Sequence, residues 1–466
     1  MKNYKYCAET LKVGKTVHVK LIYSKGTIII QGEVSTPYGQ FDPRINAYRV
    51  QGYHYRDVLK YLENSKITYD DQVLDPPPAP PIEGEIQLYP YQQEALENWL
   101  KSEKRGVIVI ATAGGKTFLG LKAIITTKEP TIIIVPTLVL VDHWVERLKE
   151  KLNIDAGVIG GGKKEIKYVT VTTYDSAYIY AEELGNKFSL IILDEAHHAL
   201  APNFALILEM FASPNRMGLT STLHRPDMRH LDTPRLMGDV VYEATHEQLA
   251  GKYVAPFEYE KIFVDLTSEE KGVYEQQRKI YTDYLEKANL PLRTYEDFRR
   301  LIMRSGFDPE ARAAVLARNL AFKIALNSAA KINFLAEQLK QVKEKTLIFT
   351  LHNDTVYQIS KRFLVPAITH QTPEKERREI LQKFKSGEYM AIVTSQVLDE
   401  GVDIPSASLG IILSGTGSPR EYIQRLGRVL RKQEGKVAHL IEVVSRATSE
   451  TNISLRRHRR LQDAAE

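Results

Sequence analysis

Apolar residues follow three patterns along this chain. Up to about residue 70, apolar and polar positions alternate in VHVKLIYS and TIIIQGEV, as expected of strands with one buried face, and then switch to helical spacing in YRDVLKYLEN. This predicts a small α/β module over residues 1–74. The prolines of DPPPAPP at 75–81 end it, because proline cannot donate to a strand ladder and favours an extended spacer, so residues 75–84 read as a linker. Beyond it, short apolar runs alternate with amphipathic stretches: VIVIA from Val107, TIIIVP from Thr131, YVTVTTY from Tyr168, LIILDEAHH from Leu190 and MGLTST from Met217. A second series repeats the pattern with TLIFT from Thr346, AITH from Ala367, MAIVTS from Met390, LGIILSG from Leu409 and VAHLIEVV from Val437. Runs of this kind between helices predict strands buried on both faces. The fold class is therefore α/β, with two doubly wound parallel-sheet domains over 85–235 and 236–466. The third pattern lies at about 266–319, which is charged and helical and has no buried-strand run; it reads as an insertion in the second domain.

Composition narrows the setting. A chain of 466 residues exceeds one core and implies roughly three or four units. Cys7 is the only cysteine, which excludes an intrachain disulfide or a cysteine-built zinc cluster. The opening MKNYKYCAETLKVGK lacks the apolar run of a signal peptide or membrane span, so a cytoplasmic protein is expected. A net charge of +5 is too small to identify a polyanion partner. The placement of the basic residues says more: Arg299, Arg300, Arg304, Arg312 and Arg318 fall in the helical insertion, and Arg456, Arg457, Arg459 and Arg460 lie near the C-terminus. Each cluster fits phosphate contact or a solvated helix face equally well.

Three short segments carry chemistry. ATAGGKT at 111–117 joins a buried strand to a helix, the setting of a phosphate-binding loop. Gly114 and Gly115 allow backbone N–H groups close to phosphates, Lys116 is placed for the β- and γ-phosphates, and Thr117 for a magnesium ion. LIILDEAHH ends a buried strand in adjacent carboxylates, with Asp194 suited to hold magnesium and Glu195 to orient or deprotonate water. Gln424, Arg428 and Arg431 in QRLGRVLR are spaced by four and three, which places them on one helical face.

These segments resemble the ordered motifs of superfamily 2 helicases. ATAGGKT, with Ala113 where glycine is usual, is similar to motif I, and DEAH at 194–197 to motif II. Gln92 in YPYQ resembles the adenine-contacting glutamine. VPTLVL, with Pro136 and Thr137, resembles motif Ia, and TTYDS, with Thr172 and Thr173, the next DNA-contacting motif. LTST at 219–222 is similar to motif III; TSQVLDEGVDIP, with Thr394, Gly401 and Asp403, to motif V; and QRLGRVLR to motif VI. The resemblance implies two RecA-like motor domains using ATP and magnesium. It also implies that Gly401 and Asp403 contact ATP, Gln424 positions water, and Arg428 and Arg431 act as arginine fingers.

Within that superfamily the chain is most similar to the xeroderma pigmentosum group B (XPB) branch, in its shorter archaeal form. The N-terminal module then corresponds to a damage-recognition domain and residues 266–319 to a thumb that grips DNA through Arg299, Arg300 and Arg304. The implied activity is 3′-5′ DNA helicase or translocase action in nucleotide excision repair and transcription, with a nuclease as partner. The family's Arg-Glu-Asp element appears as Arg225, Pro226 and Asp227, so its central carboxylate is missing. An RNA helicase, or a DNA-binding scaffold with little turnover, would also carry some of these motifs.

Overall fold

The protein is described here from a computed structural model covering residues 19–111, 114–223, 228–249, 257–292, 295–341, 343–395, 407–415, 438–451 and 454–455. It divides into two compact units. One comprises the chain up to Val109 with Lys116–Glu243, the other Ile110–Gly115 and the chain from Ala244.

The first unit begins with a five-stranded sheet in the order β3-β4-β2-β1-β5. Its strands are β1 (Val19–Ser24), β2 (Thr27–Gln31), β3 (Gly39–Asp42), β4 (Ala47–Gln51) and β5 (Tyr69–Gln72). β5 returns parallel to β1 after helix α1 (Tyr55–Asn64), whose Val58 and Leu62 pack with Leu21, Ile28 and Ile30. Rather than hanging from its linker, this module is seated on the remainder of the unit. The Tyr23 hydroxyl donates to the carbonyl of Met210 at 3.1 Å. A Cβ at Gly52 would fall 2.2 Å from that same oxygen, so only glycine allows the approach.

The larger sheet of this unit contains β6 (Arg105–Ile110), β7 (Thr131–Val135), β8 (Gly157–Gly160), β9 (Lys163–Lys164), β10 (Val169–Thr173), β11 (Leu190–Asp194), β12 (Asn215–Thr220) and β13 (Val240–Ala244). The order is β13-β6-β12-β11-β7-β10-β8-β9, and the central pairs are parallel. β7, β10, β11 and β12 are buried throughout, which explains their unbroken apolar sequences. Because these strands are parallel, their C-terminal ends share one edge, and motifs I, Ia, II, III and TTYDS all begin there. The sheet also takes in β13, so residues 236–243 belong to the first unit and the boundary expected at 235/236 moves to Glu243.

The second unit has a six-stranded sheet in the order β14-β19-β18-β15-β17-β16. Its strands are β14 (Phe257–Val264), β15 (Thr346–Phe349), β16 (Ala367–Ile368), β17 (Ala391–Thr394), β18 (Leu409–Ile412) and β19 (Ala438–Ser445), and their pairs are parallel. Helices Ser268–Lys287, Tyr295–Arg304 and Pro309–Leu326 form the insertion around Tyr284, Leu301 and Ala314. Thr267 and Glu270 cap the first helix reciprocally. Asp308 caps the third by accepting from the Glu310 and Ala311 amides.

Candidate nucleotide site

The loop after β6 is shaped by its glycines. Gly115 has φ +73°, and a Cβ on Gly114 would lie 2.3 Å from Ile110 Cγ2, so neither position accommodates a side chain readily. Lys116 and Thr117 open helix α3 (Lys116–Thr127), and a helix N-terminus favours anions through its backbone N–H groups and dipole.

Asp194 ends β11 and is nearly buried. Its Oδ1 accepts from the Glu195 amide at 3.0 Å and its Oδ2 from Trp144 Nε1 at 2.9 Å. Burial, followed by the neighbouring Glu195 charge, pushes its pKa up to about 6, against the opposing pull of Trp144 and Lys116. Glu195 has φ +48°, an uncommon left-handed conformation for a side chain of this size, and its buried Oε2 has no hydrogen-bond partner. Two adjacent carboxylates, one raised in pKa and one with an open acceptor, fit a hard cation and a water supplied with the ligand. The register places Asp194 opposite Leu219 on β12. One residue further, Thr220 Oγ1 lies 2.9 Å from His197 Nδ1, so motifs II and III are directly hydrogen-bonded.

Several expected site residues prove to be structurally engaged. Gln92 is buried in the first turn of α2 (Pro90–Lys101), where its Oε1 accepts from the Tyr89 amide at 2.9 Å. Thr137 caps α4 (Leu138–Leu152), just after Pro136. Thr172 is fully buried and donates to the Thr173 carbonyl at 3.3 Å, while Thr173 caps the next helix by accepting from the Ser176 amide. Thr394 is buried likewise and donates to the Ser395 carbonyl at 2.9 Å. The hydroxyls of Thr172 and Thr394 are thus buried and bonded to neighbouring backbone carbonyls.

The basic stretch divides between two helices. Arg299, Arg300 and Arg304 are exposed on Tyr295–Arg304, each with an acidic neighbour at 3.7, 3.8 and 3.1 Å respectively. Arg312 and Arg318 lie on the following helix; Arg312 donates to the Ser305 and Gly306 carbonyls, and Arg318 stacks over Phe298 at 4.4 Å. Ala113, Arg225, Pro226, Asp227, Gly401, Asp403, Gln424, Arg428 and Arg431 lie outside the described residues, as do Arg456, Arg457, Arg459 and Arg460.

The motifs did not single out Trp144, Arg216 or the pairing of His197 with Thr220. Arg216 is fully buried beneath β12, donating to the carbonyls of Leu236, Phe211 and Ser213, and burial lowers its pKa. No spacing rule links Trp144 to Asp194 or His197 to Thr220, which lie 50 and 23 positions apart.

Three family descriptions match successive parts of the chain. They are the xeroderma pigmentosum group B helicase damage recognition domain over 21–73, the type III restriction enzyme res subunit over 85–225, and the helicase conserved C-terminal domain over 330–433. A protein of Sulfurisphaera tokodaii named DNA 3′-5′ translocase XPB2 is 45% identical, covering 94% of this chain and 99% of its own. The Mycobacterium tuberculosis DNA 3′-5′ helicase XPB is 28% identical over 80% of this chain and 63% of its own. A Schizosaccharomyces pombe general transcription and DNA repair factor IIH subunit, XPB, is 26% identical over 81% and 46%. The Pyrococcus furiosus Hef helicase domain has a similar fold at a TM-score of 0.52 and 18% identity, covering 79% of this chain and 98% of that one. With the damage-recognition-domain match, the phosphate loop and the carboxylate pair following one another in that order, and with its identity to the Sulfurisphaera protein along almost its whole length, the chain belongs to the xeroderma pigmentosum group B (XPB) helicase family.

Proposed function

We propose that this protein is an ATP-driven DNA 3′-5′ translocase of the XPB family, acting in DNA repair. The observation that carries this is its near end-to-end likeness to the Sulfurisphaera translocase. The site geometry supports ATP hydrolysis as the power source. Lys116 neutralises phosphate charge, Thr117 and Asp194 hold magnesium, and Glu195, with its open Oε2, orients the attacking water. A magnesium ion bound there with ATP would be held by Thr117 and Asp194 and would offset phosphate charge. Among the described residues no three His, Cys, Asp or Glu side chains converge, which suits a cation held largely by phosphates and water.

Ala113, Gly114, Gly115, Gly401 and Asp403 complete the nucleotide contacts in this reading. Gln424 positions water, and Arg428 and Arg431 stabilise transferring charge. With Gln92 Oε1 engaged at Tyr89, base recognition there falls to the rest of its carboxamide. DNA contact at Thr137, Thr172, Thr173 and Thr394 falls mainly to backbone groups, joined by Pro136, Arg225, Asp227 and the exposed Arg299, Arg300 and Arg304. Pro226 in place of the family's carboxylate favours translocation over forceful strand separation.

No described helix is long and apolar enough to cross a membrane. A cytoplasmic setting and a nuclease that incises the DNA complete the proposal. The test is ATPase activity with single-stranded DNA, duplex DNA or RNA, beside Lys116→Ala and Glu195→Gln. Stimulation by DNA but not RNA, lost in both variants, is expected; equal stimulation by RNA, or wild-type turnover in Lys116→Ala, would overturn it.

A further inference from the structure

The buried carboxylate at the end of β11 is held by a side chain that no motif predicts. Trp144 lies two turns into α4, fully buried, and its Nε1–H donates to Asp194 Oδ2 at 2.9 Å. A buried indole requires an acceptor, and a backbone carbonyl usually suffices. Trp99, the chain's other tryptophan, uses one, the carbonyl of Arg216 at 2.9 Å. Trp144 instead meets a carboxylate at the nucleotide site.

The opposite edge of the ring is fitted as closely. Gly120 sits inside α3, where glycine is less favourable than alanine and so calls for a packing reason. A Cβ there would lie 2.7 Å from Trp144 Cη2. Gly120 is also one turn beyond Lys116 on the same helical face. The indole is thus wedged between the phosphate-binding helix and the acid. Asp194 Oδ1 is fixed independently, by the backbone amide of Glu195 at 3.0 Å. One protein N–H group holds each oxygen, which sets the plane of the carboxylate before any ligand arrives and leaves lone pairs for one.

We propose that Trp144 is a positioning residue for the ATPase: seated in the notch left by Gly120, it orients Asp194 for magnesium. This rests on the reading of Asp194 as a magnesium ligand. Its effect falls on the cation requirement, and nucleotide affinity without metal is unaffected, because the indole faces the carboxylate.

With only two tryptophans, the site reports on itself. In full-length Trp99→Phe protein, Trp144 emission should change saturably when magnesium is added with an imido analogue of ATP, and should not change when Asp194→Asn is also present. In the otherwise native chain, Trp144→Phe keeps the ring and removes the donor. Binding of a fluorescent ATP analogue in chelator should stay within about twofold of wild type, while the magnesium concentration that half-maximally strengthens that analogue's binding, a readout that needs no turnover, rises by about tenfold or more, the usual effect of losing a group that orients a ligand. Gly120→Ala keeps the donor but displaces the ring, and should shift the requirement in the same direction. If Trp144→Phe does not fold, Gly120→Ala alone decides. An unshifted magnesium requirement in the folded variant overturns the proposal when Asp194→Asn shifts it. If Asp194→Asn leaves it unshifted too, the assignment of Asp194 as ligand has failed.

Discussion

The position of Asp194 costs the protein stability, and replacing it with asparagine exposes that cost. Its pKa rises from 3.8 to about 6, chiefly through burial, so the native state holds a proton more tightly than the unfolded chain. Stability from this group is therefore greatest at low pH and declines as pH rises toward 6. At 1.36 kcal/mol per pKa unit, about 2.2 units amount to roughly 3 kcal/mol against folding at neutral pH. Asparagine removes that penalty. It also places an amide NH2 where both oxygens accept, from Trp144 and from the Glu195 backbone, and forfeits a hydrogen bond at about 1–3 kcal/mol. The net change at pH 7.5 should be small, roughly 0–2 kcal/mol in favour of Asp194→Asn, although ATPase activity is lost. The discriminating quantity is the pH dependence. Between pH 7.5 and 5 the wild type should gain on the order of 1 kcal/mol over the variant, as linkage requires. Urea unfolding of both proteins in chelator, without nucleotide, at the two pH values measures it, and other titrating groups cancel in the difference. If wild type and variant differ equally at both pH values, Asp194 is ionised with an ordinary pKa and the burial argument fails.

In the second unit, Lys331 and Glu450 form a fully buried pair at 2.7 Å, and Lys331 also donates to the Leu413 carbonyl. Lys331→Met should destabilise that unit by about 3–5 kcal/mol, because a charge is left buried and unpaired, whereas Lys331→Met with Glu450→Leu should recover most of the loss in denaturant unfolding. Arg428→Ala and Arg431→Ala should each lower ATPase activity by about tenfold or more with little change in nucleotide affinity, a modest demand on arginine fingers; steady-state turnover and analogue binding separate the two. Neutralising Arg299, Arg300 and Arg304 together should weaken DNA binding and flatten its log–log salt dependence by about 0.7–0.9 per lost phosphate contact. An unchanged slope in a salt titration would remove these residues from the DNA interface.

Local features of the sequence were enough for the α/β class and the two parallel-sheet domains. Strands buried on both faces must be apolar throughout, and a phosphate loop needs small residues, a lysine and a helix start within a few positions. β13 and β14 were not legible, because edge strands carry weaker apolar patterns, and the first unit consequently reaches Glu243. Exposure was not legible either. Thr172 and Thr394 belong to motif-like segments, yet both side chains are buried and their hydroxyls bond backbone carbonyls. Only the tertiary structure could bring Trp144 to Asp194, fifty positions along the chain, or Thr220 to His197 across adjacent parallel strands. It alone explains why Gly52 and Gly120 have no side chain: one admits the Met210 carbonyl and the other the Trp144 ring. A motif records which groups the chemistry requires, because those groups are close in sequence. What holds them in place comes from whichever strand or helix packs alongside, and that is fixed only when the sheet is assembled.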